Sequence, residues 1–150
     1  MMRVTEIHGR QVVNLEDAET LGRVDRYVVD PSKHAVVALR LSRVKGDACF
    51  LSWADLHAFG ADAVTVSDAR RLRPAADDAE ERAASNELQV VGKLVLTQSG
   101  TALGKSEDVE VDPESGTIVA LDLGEAGTVA GDRIIGIGSY ALVVSDASPA

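Results

Sequence analysis

Leu103-Gly104-Lys105-Ser106-Glu107-Asp108-Val109-Glu110-Val111-Asp112-Pro113-Glu114-Ser115-Gly116-Thr117-Ile118-Val119-Ala120-Leu121-Asp122-Leu123 is the stretch whose reading decides the fold. Val109 and Val111 alternate with Asp108, Glu110 and Asp112, the period-two pattern of a half-buried strand. Asp112 to Gly116 then supplies a turn: the aspartate accepts backbone N–H groups, the proline presets φ, and the glycine takes the left-handed conformation without steric cost. Ile118, Val119, Leu121 and Leu123 resume a strand, so the stretch reads as strand, tight turn, strand.

The same pattern stands 82 positions earlier, ungapped from Leu21 to Leu41. Such self-similarity means the chain is two copies of one small unit. Asp30-Pro31 repeats Asp112-Pro113, but His34 stands where the second copy has Gly116. Histidine tolerates positive φ better than most residues, so His34 reads as a turn residue and not as a ligand or catalyst. The flanks repeat too. Gly9-Arg10-Gln11-Val12 matches Gly92-Lys93-Leu94-Val95, and Phe59 to Val66 matches Ile137 to Val144.

In this order, the motifs resemble the PRC-barrel family: G-x-x-V, then L-G-x-V-x-D-x-x-V-D with a turn and V-x-A-L, then a strand of the form I-G-x-x-A-V-x-V. Ser52-Trp53-Ala54-Asp55-Leu56 is similar to a further family segment, with Ser52 in place of proline. The family is a small β-barrel found in the cytoplasmic part of the photosynthetic reaction-centre H subunit, in a small-subunit ribosome maturation factor and in an archaeal cell-division protein. The resemblance implies a mainly β protein: two tandem small PRC-type β-barrels packed against each other, joined by a short linker able to form a helix. The units are expected at residues 1–69 and 88–146, with a linker at 70–87 and a frayed tail at 147–150. It also implies docking onto larger assemblies in preference to chemistry.

Composition narrows the function classes. A hydrophobic content of 45% suffices for a globular core. No apolar run approaches the roughly 18 residues that cross a bilayer, and Met1 to Glu6 has no apolar signal segment, so cytoplasmic residence is expected. Cys49 is the one cysteine, which excludes an intramolecular disulfide; beside Phe50 and Leu51 it reads as a buried structural thiol. The net charge of −9 disfavours direct nucleic-acid binding, and 3% aromatics are too few for base-stacking platforms. The second copy is the acidic one: from residue 88 onward nine acids face only Lys93, Lys105 and Arg133.

Candidate contact residues follow from where the pattern breaks. Val28 stands where the second copy has Glu110, on a strand face expected to point outward, which marks it as a contact residue. Trp53, the only tryptophan, reads as packing within or between the copies, with a binding role as the second reading. Arg70, Arg71 and Arg73 crowd before Pro74; they are expected to pair with acids, including those of the second copy, or to bind an acidic partner or phosphate. The segment Ala75 to Asn86 lacks Gly, Pro and an apolar stripe and reads as a surface helix or mobile loop. The glycine-rich stretch Gly124 to Gly131 reads as a flexible loop, and residues 3–13 as one or two strands.

No catalytic constellation is recognisable. His8, His34 and His57 lack the i, i+4 spacing of a helical metal pair, and Gly136-x-Gly138 sits in a strand run and opens no helix. No cofactor pattern is present. Asp108, Glu110 and Asp112 are the weak metal candidates, more readily read as a solvated polar strand face that discourages edge-to-edge aggregation. The leading expectation is a non-enzymatic docking or regulatory module with a protein partner, a second copy of itself included, reaching membranes only through that partner. The alternatives are a ribosome-maturation-like accessory factor binding a ribosomal protein, and a divalent-cation-sensing domain. Against the former, the chain shows no sign of the glycine-rich start of the maturation factor's N-terminal domain.

Overall fold

Alternating apolar and polar residues are realised as short strands along the chain. The computed structural model describes residues 1–146; the frayed tail expected at 147–150 lies outside them. The elements are β1 (Met2–Arg3), α1 (Val4–Ile7), β2 (Gln11–Asn14), β3 (Thr20–Asp30), β4 (Ala35–Ser42), β5 (Phe50–Ser52), β6 (Leu56–Phe59) and β7 (Ala63–Val66). There follow α2 (Asp78–Ala83), β8 (Leu94–Thr97), β9 (Ala102–Lys105), β10 (Asp108–Val111), β11 (Ile118–Asp122), β12 (Thr128–Ala130), β13 (Ile134–Ile137) and β14 (Ala141–Val144). The fold is mainly β. The first half is one six-stranded sheet, β5-β4-β3-β2-β7-β6. The second half splits into β13-β14-β8-β9 and β1-β10-β11-β12. None of the three sheets closes into a barrel.

Strand pairs in the two halves have the same register. Val12 faces Gly22 as Val95 faces Gly104, and each pair is followed by a bulge at the next residue. Tyr27 faces Leu39 as Val109 faces Leu121. The parallel pairs agree as well: Val12 with Val64, and Val95 with Leu142. A parallel pair needs a long crossover, and here it is the whole intervening unit.

The halves meet about a local two-fold. Ala35 and Thr117, which hold the same place in their own halves, pair with each other. Val36 N–H donates to the Gly116 carbonyl at 2.8 Å, and Ile118 N–H donates to the His34 carbonyl, also at 2.8 Å. Such reciprocity is what a two-fold contact requires. Around it one continuous core takes Val12, Leu39, Leu51 and Val64 from the first half and Val95, Val111, Leu121 and Leu142 from the second.

The turns close this junction. Asp30 and Asp112 each accept from the backbone N–H two residues on. Gly116 lies at φ +78°, and a Cβ there would stand 2.3 Å from the Val36 carbonyl oxygen. His34 adopts the same left-handed region at φ 53°. The Trp53 indole N–H donates to the Pro113 carbonyl at 3.1 Å, tying the first half to the second half's turn. In the second half the place of Trp53 is taken by Gly131, whose Cβ would stand 1.9 Å from the Ile118 carbonyl oxygen.

Several local expectations are corrected. Residues 3–13 are not all strand: Val4–Ile7 is a helical turn, which buries Val4 and Ile7 at i, i+3 spacing. The short β1 before it pairs with β10 of the other half. Gly124 to Gly131 is not an unstructured loop, because Val129 is buried and β12 pairs with β11. His57 lies exposed in β6. Cys49 is half-buried. The expected surface helix forms as α2, capped by Asp77 accepting from Glu80 N–H and with no buried residue of its own, while Ala84 just beyond it is 1% exposed.

Candidate functional site

The two halves leave a groove of about 310 Å³ between the segments that precede β2 and β8. Residues 4–8 form one wall, residues 86–91 the other, and residues 24–27 of β3 the back. Val4, Ile7, Val24 and Val91 give it an apolar lining; His8, Asp25, Arg26 and Asn86 add polar groups. A mainly apolar cleft with a few polar groups is the usual form of a binding site.

Tyr27 and Gln89 frame the groove. The Gln89 side chain mimics a neighbouring strand: its Oε1 accepts from Tyr27 N–H at 3.1 Å and its Nε2 donates to the Tyr27 carbonyl at 3.0 Å. The Tyr27 hydroxyl accepts from the N–H groups of Val90 (2.8 Å) and Val91 (3.0 Å). Burial pushes the Tyr27 phenol above its ordinary range, against the opposing pull of those two N–H groups. His8 Nδ1 donates to the Asp25 carbonyl at 3.0 Å. These bonds hold the groove rigid at one end, while the Asn86 side stays exposed.

The residues singled out from sequence are dispersed. Val28 is not an exposed contact: it is 4% exposed and packs with Ala38, Phe50 and Ala84 under the linker. A strand pattern cannot show that a distant segment folds back over its polar face. Trp53 is 5% exposed, its ring 4.8 Å from that of Phe59. Arg73 bonds both carboxylate oxygens of Glu80, at 2.5 and 2.8 Å, and lies over the Phe50 ring. Arg70 pairs with Glu16 and Asp68, and Arg71 with Asp55 and Asp68. Thus the ion pairs of this cluster run to the first half and the linker, and not to the acids of the second copy.

The acidic row is also divided. Asp108 is buried and accepts from Thr5, while Arg3 reaches Glu110 at 3.3 Å and Asp122 at 2.6 Å. The Arg3 guanidinium holds the Asp122 carboxyl below its usual range, helped by the Gly124 N–H. Asp112 lies in the turn, accepting from Glu114 N–H at 2.9 Å. Asp108 and Glu110 are therefore engaged by an arginine of the N-terminal strand and do not form a bare solvated face. Among the described residues, no group of three or more His, Cys, Asp or Glu side chains is placed to hold a metal ion. Among them, too, no helix is long and apolar enough to cross a membrane.

Arg3, Tyr27 and Gln89 were not foreseen. The run Leu88-Gln89-Val90-Val91 opens the second unit, and nothing in its spacing reveals that Gln89 turns its amide to a strand of the other half. Neither the protein-family models nor the curated proteins compared with this chain gave a match.

Proposed function

We propose that the chain is a tandem PRC-type module, two small barrel-like units about a local two-fold, that docks without catalysis onto a larger cytoplasmic or membrane-associated assembly. The observation that carries this reading is the groove between the halves. It exists only where both halves contribute, and its frame at Tyr27 and Gln89 is fixed by hydrogen bonds. The matched registers support the tandem reading, since two unrelated domains have no reason to share their bulges. The first half's open ends, β5 and β6, are joined by the turn holding Trp53, which brings a six-stranded sheet close to a barrel's course without closing it.

The test is capture of a tagged full chain from a lysate of its source organism at physiological salt, beside an Asn86→Arg variant. Asn86 is exposed on the groove wall, so the substitution blocks the groove while the core stays intact. The expected result is one defined complex, lost in Asn86→Arg at unchanged melting temperature. Recovery with small ribosomal subunits would shift the reading to an assembly factor. A complex indifferent to Asn86→Arg would remove the groove as the docking surface.

A further inference from the structure

The outer face of the first half's sheet is covered by the linker, whereas among the described residues the same face of the second half is covered only on its β10 side, by Arg3 and Thr5. In the first half, Val28, Ala38 and Phe50 point away from the main core, yet are 4%, 0% and 1% exposed. The covering segment is the chain's own linker, which packs Ala75, Ala83 and Ala84 onto them. It enters along the sheet edge. Phe50 N–H donates to the Arg73 carbonyl at 2.8 Å, and Arg73 N–H donates to the Phe50 carbonyl at 2.9 Å. Arg73 thus adds one residue of strand beside β5 before the chain turns over the face.

Register defines the equivalent positions. Val28 faces Ala38 and Arg40 faces Phe50 in the first half; Glu110 faces Ala120 and Asp122 faces Thr128 in the second. Here β12 is the last strand of its sheet, so among the described residues its edge at Thr128 has no strand partner, where that of Phe50 is taken by Arg73. Val119, counterpart of the half-buried Val37, is 40% exposed, and Thr128 is exposed. Three carboxylates lie on this face, those of Glu110 and Asp122 half-buried and that of Asp108 buried beside Thr5, and among the described residues Arg3 is the cation paired with them.

We propose that this second face is a docking surface for a short basic segment of another protein, which pairs with the β12 edge at Thr128 and crosses β11 and β10 as residues 73–84 cross the first half. Edge pairing gives affinity through main-chain bonds while side chains on the face give selectivity. The partner's charge follows from the carboxylates, which exceed the available cation. Its shape follows from the counterpart. Where the first face carries Phe50 and Val28, the second carries Thr128 and Glu110, which leaves room for the aliphatic stems of Lys or Arg beneath their charged ends. A second copy's linker is a poor occupant: residues 74–84 hold four acids and one arginine. The inference deepens the docking reading, but its surface is separate from the groove and rests on the equivalence of the two sheets.

The probe is a peptide of residues 72–85 carrying Asp77→Lys, Asp78→Lys, Glu80→Lys and Glu81→Lys, with the unaltered acidic peptide as control. Each is titrated into the isotope-labelled full chain. The expected result is binding of the basic peptide alone, with amide shifts confined to β10, β11 and β12. Val119→Lys and Thr128→Lys, both at exposed positions, weaken it by about tenfold or more at unchanged melting temperature, and so does raising the salt. Equal binding of the acidic peptide, indifference to both variants, no binding, or self-association through this face would each overturn the proposal. Shifts at residues 24–27 and 86–91 would overturn it too, while leaving the groove reading intact.

Discussion

Ala35 and Thr117 pair with each other across the junction, each from the same position of its own half. The neighbouring carbonyl acceptors are His34 and Gly116, one a histidine and one a glycine in the same left-handed conformation. The two residues are unequal in what they tolerate. At Gly116 a Cβ would press on the Val36 carbonyl and come within 3.1 Å of the Trp53 ring. Gly116→Ala is expected to cost at least about 2 kcal/mol, joining overpacking to backbone strain. His34→Gly is expected to stay within about 1 kcal/mol of the parent, since relief of left-handed strain offsets lost contacts. Urea unfolding of both variants checks the contrast; equal losses would contradict it.

Trp53 separates packing from hydrogen bonding. Its indole fills the core edge against Phe59 while its N–H is spent on Pro113 of the other half. Trp53→Phe is expected to cost about 1–2 kcal/mol, with part of that from an unpartnered Pro113 carbonyl. Trp53→Ala should cost about 3–5 kcal/mol through the cavity it leaves. Thermal melts of the two variants read the difference directly, and a neutral Trp53→Ala would show that the residue faces solvent.

The hairpins were legible because their side chains alternate between a core and a polar face, and because Asp-Pro and Gly mark the turns. The mainly β character therefore came through from residues 103–123 and 21–41 alone. What stayed hidden is what non-local packing decides. Val28 looked exposed because strand periodicity assigns a face but not what covers it, and Ala84 lies 56 residues away. The acids at Asp108 and Glu110 looked solvated because Arg3, more than a hundred positions earlier, carries no local signal of its crossing. The groove was beyond sequence reading for the same reason. Gln89 acts through a side chain that imitates backbone, and such mimicry has no period.

Acid should loosen the linker. The Arg73 guanidinium, with the Ala76 N–H, holds the Glu80 carboxyl below its ordinary value of 4.5. A carboxyl lowered in the folded state adds stability that is complete above the unfolded value and is lost as pH falls through the folded one. The melting temperature should therefore be insensitive to this pair near neutrality and fall below about pH 4.5. Asp122, lowered by Arg3, adds to the same trend in the second half. Arg73→Gln should lower the melting temperature near pH 7 and shrink its difference from the parent at about pH 3. A difference constant across that range would contradict the assignment.

The central claim is that neither half is complete without the other. The second half borrows β1 for its sheet and shares its core, and its turn at Pro113 is held by Trp53. A unit of roughly 60 residues buries little core on its own. The most direct test is to express residues 88–150 alone and follow their unfolding by circular dichroism beside the full chain. The account predicts one cooperative transition for the full chain and none, or one at far lower temperature, for the fragment. A monomeric fragment that melts cooperatively near the full chain's temperature would contradict it.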